Sequence, residues 1–114
     1  MSRGDVEAGE VVQIRAFRGT RRSSVYREHV LARAAFTRII QAAEQAGFTL
    51  LTSLDQHGLH ELDKANARGL AEELTRMRAS AALPELDDDL TAIARVAGWC
   101  GRAAEDSWLR IEGA

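Results

Sequence analysis

The sequence predicts a two-layer α+β domain in the order β-α-β-α-α-β, with three short strands covered by a long helix and a C-terminal helical hairpin. Three observations carry that prediction. β-branched residues with partial alternation stand near the start, and an amphipathic stripe of helical period follows. Downstream of residue 63, two series of apolar residues repeat at intervals of three and four. The competing reading is all-helical, with the short strands as extended tails.

The first element is a strand from Glu10 to Phe17, where Val11, Val12, Ile14 and Phe17 supply β-branched and aromatic bulk around Gln13 and Arg15. Residues 1–9 lack periodicity and are expected to be a mobile segment, with 10–114 forming one domain. Residues 19–24 read as a loop, and Ser23 or Ser24 as the N-cap of a helix of about 23 residues, about 34 Å long. On a helical wheel Leu31, Ala35, Ile39, Ala42 and Ala46 share its apolar stripe. Glu28 falls inside that stripe as a misfit. Gly47 is suited to a left-handed C-terminal cap, with Phe48 folding back on the apolar face.

Phe48 to Leu54 alternates and reads as a second strand, joined to the first by a crossover that would be right-handed if the two pair in parallel. Asp55 to Leu62 reads as a polar turn, and Asp63 as the N-cap of the next helix. Ala67, Leu70, Leu74, Met77 and Ala81 then match Leu90, Ile93, Ala97, Cys100 and Ala104, the spacing of two antiparallel neighbours packed at a shallow angle. Pro84 closes the first of these helices, and Asp87, Asp88 and Asp89 supply a cap and first-turn negative charge for the second. Trp108 to Glu112 reads as a short edge strand with Leu109 and Ile111 on one side and Trp108 and Arg110 on the other.

Composition bounds the function classes. Apolar residues make up 46% and charged residues 28% of 114, within the range of folded domains. No run is apolar and long enough to span a membrane, the first ten residues are unlike a secretory leader, and the only cysteine is Cys100, so a cytoplasmic location is expected. The net charge of −2 conceals an asymmetry. Residues 15–38 hold seven Arg against the single acid Glu28, whereas residues 55–114 hold seven bases and twelve acids.

No convergent catalytic set is visible, and no cofactor or metal is expected. Asp55, His57, His60 and Glu61 are of metal-ligating type, but their spacing matches no strong signature and Gly58 marks a turn. Cys100 falls on the hairpin seam, where a small packed side chain is expected rather than a nucleophile. The leading expectation is a non-enzymatic interaction or regulatory, inhibitor-like module. Its partner surface would comprise Trp99, Trp108 and Arg110, because aromatic and Arg anchors dominate interface energetics, and the last strand could pair two copies into a homodimer. The second expectation is an anion or nucleic-acid site at Arg21, Arg22, Ser23 and Ser24, where helix amides, hydroxyls and guanidinium groups could surround a phosphate. Third is an enzyme assembled from distant residues such as Arg22, His60 and Glu61.

Overall fold

Where a long first helix is expected, the chain instead doubles back as a β-hairpin. The computed structural model describes residues 11–18, 25–54, 58–103 and 106–113. Its elements are β1 (Val11–Arg18), β2 (Val25–Ala32), α1 (Arg33–Ala46), α2 (Thr49–Thr52), β3 (Leu59–Leu62), α3 (Lys64–Ser80), a 3-10 turn (Pro84–Leu86), α4 (Asp87–Arg102) and β4 (Ser107–Gly113). The α+β class holds, with four strands rather than three. They form one antiparallel sheet in the order β2-β1-β4-β3, so no parallel crossover exists among them, and β4 lies inside the sheet rather than at its edge.

Three elements depart from the sequence reading, each because a distant partner overrides a local pattern. Residues 25–32 satisfy their backbone against β1, from Val11 opposite Ala32 to Phe17 opposite Val25, and the helix starts only at Arg33. Ser23 and Ser24, the expected N-caps, lie outside the described residues. Glu28, the misfit on a wheel, is unremarkable on a strand: it accepts a hydrogen bond from Arg15 Nε at 3.3 Å. The expected strand at Phe48 to Leu54 contains α2 instead. Phe48 offers no side-chain cap, but the Glu73 carboxylate of α3 accepts from the amides of Leu50 and Leu51 at 3.1 and 2.9 Å, satisfying donors that a short helix leaves unpaired. The expected turn at Asp55 to Leu62 includes β3, which pairs with β4.

Local signals succeed elsewhere. Gly47 ends α1 with φ of 80°, and the Phe48 amide donates to Ala43 O at 2.9 Å, a left-handed cap that glycine adopts without a Cβ penalty. Asp63 Oδ1 accepts from the Asn66 amide at 2.8 Å, capping α3 as its position demands. The hairpin also forms: Ala67, Leu70, Leu74 and Met77 of α3 and Leu90, Ile93, Ala97 and Cys100 of α4 are all buried. Ala81 leaves that seam, ending α3 in a left-handed conformation and lying exposed three residues before Pro84. Leu86 rather than Asp87 occupies the N-cap position of α4; the acids bridge outward, Asp87 to Arg78 at 3.0 Å and Asp89 Oδ1 to His29 Nε2 of β2 at 2.9 Å.

The helices pack on one face of the sheet. Val12, Ile14 and Ala16 of β1, Leu31 of β2, and Leu109 and Ile111 of β4 point into the core that those helices complete. Each large side chain there contributes about 1.5–3 kcal/mol by leaving water. At one corner α3 and α4 touch: a Cβ on Gly101 would lie 2.9 Å from Arg68 Cβ and 3.0 Å from Arg68 Cα. Across that contact Arg68 Nη2 donates to Gly101 O at 2.8 Å and Lys64 Nζ to Ala103 O at 2.5 Å. No helix among the described residues is long and apolar enough to cross a membrane.

Candidate partner surface

Side chains alternate across a strand, so the residues between the core positions of β1 and β4 must point to the opposite face. The register brings them into rows. Glu28, Arg15, Arg110 and Glu61 form one row across β2, β1, β4 and β3, with acids on the edge strands and two guanidinium groups opposite one another on the central pair. Val30, Gln13, Glu112 and Leu59 form the next. Among the described residues, the exposed large hydrophobics are Val30 and Leu59, at 44% and 51%, and both lie here.

Phe17 and Trp108 stand opposite each other on β1 and β4, and their rings stack with centroids 4.2 Å apart and planes 7° from parallel. A bulge between Ala16 and Phe17 shifts the β1–β2 register at this end of the sheet. Arg15 bonds Glu28, and Arg110 Nη2 lies 3.5 Å from Glu112 Oε1. Arg110 Nε is buried and makes no hydrogen bond among the described residues. No described helix packs on this side: the strand residues of the core cluster all come from the other one.

The three residues expected to meet a partner thus divide. Trp108 and Arg110 are neighbours on this outer face, as the alternation of β4 implies. Trp99 is on the other side of the sheet, half-buried on α4 and packed against the core, where it lines a groove of about 490 Å³ with Arg27, Glu28, Arg95 and Arg102. Sequence reasoning passed over Phe17, Arg15, Val30 and Leu59 because their shared face exists only once the strands are in register. Arg95, Trp99 and Arg102 did carry a local signal, steps of four and three on one helix flank.

The remaining candidates do not converge. Arg21, Arg22, Ser23 and Ser24 lie outside the described residues, as do residues 1–9, Asp55 and His57. His60 and Glu61 are consecutive on β3 and so point to opposite faces, which separates two members of the suggested active-site set. Among the described residues, no group of three or more His, Cys, Asp and Glu side chains could hold a metal ion. Cys100 is buried and donates to Ser107 Oγ at 3.5 Å. Burial pushes its thiol pKa up, outweighing the lowering by that hydrogen bond and by Lys64, so the reactive thiolate is disfavoured.

Comparison with protein-family models, with curated proteins and with solved structures yields no match.

Proposed function

We propose that the chain is a non-enzymatic interaction module that pairs with a second copy of itself through the outer face of its sheet. The observation that carries this reading is the outer face itself, covered by no described element and bearing exposed Val30 and Leu59 and a half-buried Trp108 stacked on buried Phe17. Antiparallel sheets commonly leave one face to water, but such a face is then usually polar. This one mixes large apolar groups with both signs of charge.

Self-pairing is favoured by the charge pattern of the outer rows. A twofold axis running along β4 would bring the two Trp108 indoles together and set Arg15 of each copy against Glu61 of the other, with the two Arg110 side chains opposite one another and each offset by its own Glu112 carboxylate. About that axis β4 lies over β4 and β3 over β1, so roughly fifteen residues of each copy overlap, about 240 Å² in projection at the usual strand spacings. That is below the roughly 800 Å² a side of a standard interface, so the pair is weak and forms only at high concentration. Pairing through β4 as an edge strand is not part of this reading, since both its edges are occupied. A cytoplasmic setting fits a chain whose single cysteine packs as a small apolar group.

Size-exclusion chromatography with light scattering tests the proposal. The wild-type chain is expected to run as a dimer at high micromolar concentration, and Leu59→Glu and Glu61→Arg, both at exposed positions, as folded monomers. A monomeric wild type, or a dimer indifferent to both substitutions, overturns it.

A further inference from the structure

On α4, Arg95, Trp99 and Arg102 follow one another at steps of four and three, which puts them on a single flank of the helix with the indole between two guanidinium groups. That flank faces β2. There Arg27 joins it, and Val96 adds an apolar wall, so three guanidinium groups and one aromatic ring line a single groove of about 490 Å³. The volume falls within the range of small-molecule sites, about 300–1,000 Å³.

We infer that this groove binds a small aromatic phosphate of nucleotide size. Arg presents a planar fork of donors that matches phosphate oxygens, and an indole offers a flat apolar surface on which a heterocycle stacks. The two chemistries stand one helical turn apart, the separation a mononucleotide needs between ring and phosphate. Among the described residues lining the groove Glu28 is the only acid, and its carboxylate is engaged by Arg15. The neighbouring groove between α3 and α4 shares Arg102 and adds Arg68 and Arg76 against one acid, Glu72, extending the positive potential along the helix layer. In a chain of net charge −2, this concentration of Arg marks a local preference for anions that the overall balance conceals.

The site lies along the β2 edge toward α4 and shares only Glu28 with the outer face, and it stands independently of the self-pairing reading. Its test is calorimetric titration of the wild-type chain with AMP, with adenosine and with inorganic phosphate at low salt. Fluorescence of a Trp108→Phe variant, in which Trp99 is the only indole, provides the second readout. AMP is expected to bind and to change Trp99 emission, with adenosine and phosphate each weaker by about tenfold or more. Arg95→Gln with Arg102→Gln, both at exposed positions, should weaken AMP about tenfold or more without changing the circular dichroism spectrum. High salt should weaken it in the same direction. No AMP binding at low salt, binding unaffected by the double substitution, or binding only of a single-stranded oligonucleotide and not of AMP, overturns the inference.

Discussion

The two faces of the sheet are built from the same strands and obey opposite rules. Toward the helices, β1 and β4 present Val12, Ile14, Ala16, Leu109 and Ile111, none more than 1% exposed. Away from them, the same strands present Gln13, Arg15, Phe17, Trp108, Arg110 and Glu112, where Phe17 stacks on Trp108, Arg110 pairs with Glu112, and Arg15 reaches across to Glu28 of β2. The difference teaches where each kind of free energy resides. Inner-face side chains hold the fold together by leaving water, whereas on the outer strands only Phe17, stacked on Trp108, is buried to the same degree and its neighbours stay in partial contact with solvent.

Truncating the inner face is the largest test of that division. Leu109→Ala should lower unfolding free energy by about 2–5 kcal/mol in urea titration, because the fully buried site cannot collapse around the lost atoms. A cost under about 1 kcal/mol would show that the inner face is not the core. Trp108→Ala should cost less, roughly 1–2 kcal/mol from the lost stack and partial burial, while abolishing self-association at concentrations where the wild type pairs. If it destabilised the chain as much as Leu109→Ala, the contrast between the faces would fail.

The smallest effect concerns chemistry beside the inner face. Cys100 should react with a thiol reagent far more slowly in the folded chain than in urea, and rapid native labelling would contradict its packing against Ser107. Its raised pKa has a signed consequence. The unfolded chain loses the thiol proton first, so the stabilisation is complete below the ordinary thiol pKa and declines as pH rises through the folded one. Cys100→Ser should flatten that alkaline decline, read as the urea midpoint against pH.

Legibility in the sequence follows the range of the deciding interaction. The hairpin of α3 and α4 was readable because its determinants are local: the three-and-four spacing, the Asp63 cap and the nearby Pro84. The opposed sides of Trp108 and Leu109 followed from strand alternation alone. β2 was misread because Leu31, Ala35 and Ile39 fit a helical wheel as well, and only pairing with β1 decides in favour of a strand for residues 25–32. The fate of residues 49–52 turned on Glu73, over twenty positions away, whose carboxylate replaces the missing N-cap. The candidate surface was half readable. Trp108 and Arg110 announced themselves by type, whereas Phe17, Val30 and Leu59 acquire their meaning from cross-strand neighbours that spacing along the chain does not reveal.

The Gly101 contact carries a consequence for how the molecule opens. The carbonyls at the end of α4 are held by Lys64 and Arg68, which belong to the beginning of α3, so neither terminus can fray without surrendering bonds of the other. Helix ends ordinarily breathe first, but here two of them form a single cooperative unit. β4 departs only a few residues later, from a post that is already fixed, and a chain with no possible internal disulfide gains at this corner a non-covalent clasp between sequence segments more than thirty residues apart.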